Sequence, residues 1–178
     1  SGLHRTNREI DKKNGLTEYV AGSNLRYANG PLRLGAAAVL QGYDKPFVKN
    51  ETIYNQFDFR GKQNVAASVD YNYVFRNLNL FGEVSRNYFQ YNGENMGGIA
   101  MVHGAMISLD PNASVGILYR NYGRGYQTFY NAGFSEGSNT QNEQGIYVGG
   151  KFKLTKAWNL NGYVDLFRFP WMKYLVDA

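Results

Sequence analysis

The apolar stretches of this chain alternate residue by residue, and the charged residues in the middle of them fall on one side of that alternation. Over residues 65–75 every second side chain, beginning with Val65, is apolar or aromatic, and Asp70 belongs to the other set. Residues 158–167 repeat the pattern, with Asp165 opposite the apolar set. Successive Cβ atoms of a β-strand point to opposite faces of the sheet. The alternation therefore predicts strands with one apolar and one polar face.

The length of the alternating segments favours strands that cross a membrane. Strands of soluble proteins are commonly about 5–6 residues long. Strands that cross a bilayer run about 9–11 residues, with apolar side chains outward and polar side chains inward. Several segments hold their alternation over the longer span. We therefore expect an all-β fold, an antiparallel transmembrane β-barrel or a fragment of one. An antiparallel sheet in a soluble sandwich is the alternative.

Composition excludes several other classes of protein. Mean hydropathy is −0.47, and no apolar run approaches the roughly 18 residues that a membrane-spanning helix needs. The 21 glycines and the aromatic content of 16% suit a barrel with aromatic girdles. The absence of cysteine from the sequence excludes a disulfide framework. The net charge of +5 is scattered along the chain, which is more typical of a solvated rim than of a nucleic-acid site.

Two regions are predicted along the chain. Residues 1–14 are expected to form a short helical lead-in, because Thr6 and Glu9 have the spacing of a capping box. Residues 15–178 are expected to form the barrel region. About nine strands are predicted, at residues 17–28, 32–43, 52–60, 64–75, 78–88, 97–109, 113–123, 144–155 and 158–168, with longer connections at 44–51, 89–96 and 124–143.

The predicted number of strands suggests that the barrel is incomplete. Nine is odd, whereas bacterial single-chain barrels have an even number of strands. Pro170 lacks an amide donor, so it marks the end of a hydrogen-bonded ladder. We expect residues 1–178 to belong to a larger barrel whose remaining strands lie outside this chain.

Charged side chains are predicted to line the inner wall of the barrel. A lumen accepts such charges, whereas lipid penalises Arg or Lys at the bilayer midplane by about 2–4 kcal/mol. Phasing each strand by its apolar residues places five acids and six bases on the opposite face: Glu18, Arg26, Arg33, Asp58, Arg60, Asp70, Glu83, Arg120, Lys151, Lys153 and Asp165.

One group of these residues predicts a plug. If the loop over residues 124–143 folds inward, Glu136 or Glu143 can pair with Arg120 in the bidentate geometry that guanidinium groups favour. Such a pair would plug or constrict the lumen. A solvated loop without a fixed partner is the alternative.

The sequence predicts no catalytic, metal or cofactor site. The two histidines, His4 and His103, share no ligand spacing. A membrane-embedded hydrolase that uses His103 with Ser108 or a neighbouring Asp remains an alternative, because catalytic triads are recognised in space. The stretch over residues 119–130 is interpreted as an aromatic girdle, with stacking of nucleic-acid bases as the alternative.

Five segments together resemble the barrel region of Bacteroidota-type outer-membrane proteins that carry an upstream helix–hairpin–helix segment and are described as competence- or DNA-uptake-like. The helix–hairpin–helix unit is not among these 178 residues, so the chain has no direct nucleic-acid site. The segments are Ser1-Gly2-Leu3-His4-Arg5-Thr6, Leu118-Tyr119-Arg120-Asn121-Tyr122, Phe134-Ser135-Glu136-Gly137, Asn142-Glu143-Gln144-Gly145-Ile146-Tyr147 and Asp165-Leu166-Phe167-Arg168-Phe169-Pro170-Trp171.

The expected function is that of a bacterial outer-membrane β-barrel with a structural, assembly or transport role, not an enzyme. Outer-membrane lipid and other envelope proteins are the expected partners, and no cofactor is expected. The resemblance implies an alternative role, as the membrane anchor of a DNA-uptake or secretion accessory.

Overall fold

The computed structural model describes Thr6, residues 15–130 and residues 133–173. These residues form one antiparallel sheet of eight strands, in which every strand pairs with its neighbours in sequence. The strands are β1 (Glu18–Asn29), β2 (Leu32–Phe47), β3 (Gly61–Phe75), β4 (Leu78–Tyr91), β5 (Glu94–Asp110), β6 (Ala113–Tyr122), β7 (Glu143–Lys153) and β8 (Asn159–Arg168). One turn of 3-10 helix, Ile53–Asn55, is the only helical segment of the described residues. No helix there is long and apolar enough to span a membrane.

The prediction of an all-β, antiparallel fold is confirmed. Among the described residues β1 pairs only with β2, and β8 pairs only with β7, so the sheet is not closed. The predicted helix over residues 1–14 lies outside the described residues, apart from Thr6, which sits in a bend.

The two longest connections lie at the same end of the sheet. Because consecutive antiparallel strands reverse direction, every second connection lies at the same end. We call one end the turn end, with connections 30–31, 76–77, 111–112 and 154–158, and the other the loop end, with connections 48–60, 92–93 and 123–142.

The predicted strand over residues 52–60 is wrong, and the described residues contain eight strands instead of the nine predicted. Asn55 Oδ1 accepts a hydrogen bond from the Thr52 amide at 2.9 Å. The Arg60 guanidinium donates to the carbonyl oxygens of Asn55, at 3.2 Å, and Gln56, at 3.1 Å. Such local bonds between side chains and backbone compete with a strand ladder. The segment therefore folds around Arg60 as a loop.

The predicted long connection over residues 89–96 is also wrong. Strands β4 and β5 continue to Tyr91 and Glu94, and only Asn92 and Gly93 join them. Both turn residues have positive φ, +51° and +81°. This is the conformation that a two-residue Asn-Gly hairpin favours, because it matches the twist of the strands.

The register gives the sheet two chemically different faces. Arg26, Asp70, Glu83 and Arg120 lie in one row that crosses β1 to β6. We call their side of the sheet the inner face and the other side the outer face. Val69, one residue from Asp70 and therefore on the outer face, is 61% exposed. Not every charge follows this pattern, because Arg86, opposite Ala67 and Ile99 in register, and Arg168, opposite Gln144, lie on the outer face.

The largest buried apolar cluster lies near the loop end. Tyr43 on β2 and Phe89 on β4 pack against Phe59, which the 48–60 loop supplies. The Phe59 ring lies 5.1 Å from the Phe89 ring and 6.2 Å from the Tyr43 ring. The core therefore covers one end of the sheet and leaves most of the outer face exposed.

A glycine on the outer face makes room for an aromatic pair. Tyr71, Gly82 and His103 are direct neighbours across β3, β4 and β5. The Tyr71 hydroxyl lies 3.2 Å from His103 Nδ1 above Gly82. A Cβ atom on Gly82 would stand 2.3 Å from that nitrogen.

Gly82→Ala should therefore separate Tyr71 from His103 and lower the free energy of unfolding by about 1–3 kcal/mol, as overpacking does. Gly162→Ala is the matched control, because a Cβ atom there meets nothing within 4 Å. Its effect should stay within about 0.5 kcal/mol. Chemical denaturation followed by tyrosine fluorescence measures both values, and equal effects would contradict the packing described here.

Candidate functional site

The long loop over residues 123–142, which we call the inner loop, folds against the inner face of the sheet. The Tyr126 hydroxyl donates to Ser85 Oγ on β4 at 2.8 Å. Asn64 on β3 donates its amide to the Gln127 carbonyl at 3.2 Å, and both residues are buried. Gln127 in turn donates to the Phe57 carbonyl at 3.0 Å. The inner loop is thus bound both to two strands and to the other long loop.

A buried arginine joins the last three strands. Arg120 on β6 donates from Nε to Glu143 Oε1, on β7, at 2.6 Å. Its Nη1 donates to Asp165 Oδ1, on β8, at 2.9 Å. Both the Arg120 and Glu143 side chains are completely buried. Ionised hydrogen-bonded pairs are the stronger kind of hydrogen bond, so this triad joins β6, β7 and β8 on the inner face.

The surroundings of Arg120 suit a guanidinium group. A Cβ atom on Gly145, its neighbour in register, would stand 2.7 Å from Arg120 Cζ, so the glycine provides the space. The rings of Phe134 and Phe167 lie 5.3 Å and 5.9 Å from the same atom, within cation–π range. These contacts exclude water. Removing Arg120 or Glu143 would therefore leave a buried charge without its partner and lower the stability of the fold.

Glu143 also holds the inner loop. Its carboxylate accepts hydrogen bonds from the backbone amide of Glu136, at 3.1 Å and 3.2 Å, and from that of Gly137, at 3.3 Å. The structure therefore places Glu143 against Arg120, while Glu136 contributes its N–H and keeps its side chain exposed. Arg120 divides its donors between two carboxylates instead of binding one in the bidentate mode.

A second anchor ties the segment after β8 to both long loops. The Arg124 guanidinium lies 4.8 Å from the Phe57 ring and 5.3 Å from the Trp171 ring. Trp171 donates from Nε1 to the Ile53 carbonyl at 2.8 Å. Asn142 exchanges two hydrogen bonds with the Trp171 backbone, at 2.8 Å and 2.9 Å. Sequence reasoning missed this anchor, because no local pattern connects residues about 120 positions apart.

Of the eleven charged residues that the sequence assigned to an inner wall, nine lie on the inner face. Asp58 and Arg60 do not, because they belong to the 48–60 loop. Asp58 pairs there with Lys49 at 2.8 Å, and Arg60 is buried among backbone carbonyls. The nine are Glu18, Arg26, Arg33, Asp70, Glu83, Arg120, Lys151, Lys153 and Asp165.

Two phenols of the inner loop bind acceptors on distant strands. The Tyr130 hydroxyl donates to the Glu18 carboxylate on β1, and this bond raises the Tyr130 pKa. Burial raises the pKa of Tyr126, and its hydrogen bond to Ser85 opposes the rise. The inner loop therefore crosses the inner face from β7 to β1, with a charged anchor at one side and phenols at the other.

The structure does not assemble the proposed catalytic pair of His103 and Ser108. The two residues are separated by five positions on β5, so their side chains point to opposite faces. His103 is on the outer face with Tyr71, and His4 lies outside the described residues. The described residues contain no group of three or more metal-ligating side chains.

Comparison with protein-family models, curated proteins and solved structures finds no match to this chain. The resemblance to Bacteroidota-type outer-membrane proteins therefore stays a prediction. The geometry of the sheet, the inner loop and the buried triad is the basis for the function proposed below.

Arg120→Met should detach the inner loop, because it leaves the Glu143 and Asp165 carboxylates buried without their cation. Breaking a buried ion pair in this way costs about 3–5 kcal/mol. We expect faster proteolytic cutting within residues 133–140 and a lower denaturation midpoint. Arg33→Met, an exposed change of the same type on the same face, is the control. If the inner loop of the Arg120→Met variant is as resistant to protease as that of the wild type, Arg120 does not anchor the loop.

Proposed function

We propose that this chain is a bacterial outer-membrane β-barrel protein, or part of one, with a structural, assembly or transport role. The observation that carries the proposal is the two-faced sheet, in which long strands expose apolar side chains on one face and keep most charges on the other. Outer-membrane lipid is the proposed partner of the outer face, together with other envelope proteins.

The outer face supports this proposal because its apolar side chains are open to solvent. Leu25 is 74% exposed, Val69 61% and Val164 60%. Soluble monomers rarely expose contiguous apolar patches larger than a few hundred Å², and lipid would cover such a surface. The strands are 10–17 residues long, which meets the roughly 9–11 residues needed to cross a bilayer.

Arg168, on the outer face, is the last residue of β8. Arg86, the outer-face arginine that lies further from the end of its strand, is also compatible with a membrane. It lies five residues before the end of β4, and Tyr88 follows it on the same face. Tyrosine is enriched where strands leave the hydrocarbon region. An arginine near that level can extend its guanidinium to the lipid headgroups while its alkyl stem stays in the apolar layer.

Two requirements follow from placing this sheet in a membrane. Unpaired backbone groups are costly in hydrocarbon, so β1 and β8 must pair there, with each other or with further strands. The inner loop also covers part of the inner face, so passage of a solute along that part of the face requires that this loop move. A structural or assembly role does not.

The resemblance to DNA-uptake-like proteins supports a second proposal, in which the barrel anchors a DNA-uptake or secretion accessory. Finding a helix–hairpin–helix unit encoded upstream of Ser1 would favour this anchoring role over the first proposal. No geometry among the described residues favours a hydrolase.

The protein, expressed with an outer-membrane targeting signal in a Gram-negative host, should fractionate with the outer membrane and resist extraction by urea. Unboiled samples should migrate faster on a gel than boiled samples, because a detergent-resistant sheet stays compact. Recovery as a soluble monomer that needs no detergent would contradict the proposal.

Two substitutions on β3 test the assignment of the faces. Val69→Arg places a cation on the lipid side and should cost about 2–4 kcal/mol near the bilayer midplane. Asn72→Arg changes the inner face and loses one hydrogen bond to Asn79, at 2.9 Å, which is worth about 0.5–1.5 kcal/mol. Folding yield and denaturation in lipid vesicles measure the difference. Equal damage from the two substitutions would show that the faces are assigned wrongly.

A further inference from the structure

The inner loop and strands β2 to β4 border a cavity of about 250 Å³ that is open to solvent on one side. It contains neither the Arg120 triad nor the Arg124 anchor. Its volume is below the roughly 300–1,000 Å³ of pockets that hold drug-sized molecules, so it suits a small ligand. The side chains that matter for binding are Gln41, Glu83, Tyr126, Thr128, Phe129 and Tyr130.

Two residues that line this cavity each have a buried polar atom without a hydrogen-bond partner. Gln41 is 4% exposed, and its Nε2 donor is unpartnered. Thr128 Oγ1 is buried and unpartnered as well. Burying a polar group without a partner costs free energy. Both atoms have almost no accessible surface, so each side chain must turn toward the cavity before a ligand oxygen can bind it.

The charge around the cavity is negative. Among the described residues, Glu83 is the only carboxylate that lines it, and no Lys or Arg of that part of the chain does. Asp70 is the direct neighbour of Glu83 in register, and Arg26 lies beyond Gly35 in the same row. Arg120 lies on the other side of Val102 and is already bonded to two carboxylates. The charge therefore favours a cationic ligand.

The aromatic lining also suits a cation. Tyr126, Phe129 and Tyr130 border the same space as Glu83. The faces of aromatic rings attract ammonium groups. Tyr126 is buried, whereas Phe129 is 40% and Tyr130 69% exposed. Tyr126 is held in place by its bond to Ser85, and Tyr130 by its bond to Glu18.

We propose that this cavity binds a small hydroxylated amine of the amino-sugar type. The ammonium group would pair with Glu83 and lie against the aromatic rings. A ligand oxygen would accept from Gln41 Nε2 and exchange a hydrogen bond with Thr128. This proposal is independent of the membrane location of the protein, because all of these residues lie on the inner face or in the inner loop.

Glucosamine titrated into the full-length protein, with binding measured by calorimetry, tests the proposal directly. We expect saturable binding, and weaker binding of glucose, which lacks the amine. Glu83→Gln should weaken glucosamine binding about tenfold or more, because it removes a charge-assisted hydrogen bond. Asp70→Asn is the matched control, since it removes a neighbouring carboxylate that does not line the cavity. The affinity of the Asp70→Asn variant for glucosamine should stay within about twofold of that of the wild type.

Gln41→Leu provides a second readout that does not depend on Glu83. It removes an unpartnered buried amide, so the ligand-free protein should be at least as stable as the wild type. Glucosamine binding should nevertheless weaken. No binding of glucosamine would overturn the proposal and mean that the cavity holds only water. Equal losses in Glu83→Gln and Asp70→Asn, or equal affinity for glucose, would overturn it as well.

Discussion

The buried triad of Arg120, Glu143 and Asp165 is the interaction on which the inner side of this structure depends. A completely buried guanidinium and carboxylate are stable only when most of their donors and acceptors are used, and of the Arg120 nitrogens Nε and Nη1 are bonded whereas Nη2 has no hydrogen-bond partner. Here Arg120 donates one hydrogen bond to an oxygen of each carboxylate. Glu143 also accepts hydrogen bonds from the backbone amides of Glu136 and Gly137. The triad therefore does two things: it pairs the charges of β6, β7 and β8, and it fixes the position of the inner loop.

The triad also explains why particular small residues are needed near it. Gly145 leaves the space that the Arg120 guanidinium occupies, and Phe134 and Phe167 shield it from water. On the outer face, Gly82 has the corresponding role for Tyr71 and His103. In both places a glycine on one strand accommodates a large side chain from its neighbour, so the register and the side-chain packing support each other.

Sequence periodicity predicted the strands well because the two-residue alternation is a local property. It failed at residues 52–60, where bonds from Arg60 to nearby carbonyls replace strand pairing. It also missed the Asn92–Gly93 turn, although that pair is a strong hairpin signal. In the candidate site, Arg120 and Glu143 could be named in advance from charge and loop position. The contributions of Asp165 and Trp171 depend on contacts between distant residues, which periodicity does not encode.

The inner loop is held unequally along its length. On the β7 side its amides bind a buried carboxylate that is paired with Arg120, and charge-assisted bonds of this kind are strong. On the β1 and β4 side it is held by the hydroxyl groups of Tyr130 and Tyr126, of which Tyr130 is 69% exposed. Water competes with an exposed hydrogen bond far more than with a buried one. Any displacement of the loop would therefore begin at Tyr130, beside the 250 Å³ cavity, while the buried Tyr126 and the Arg120 triad keep the rest in place.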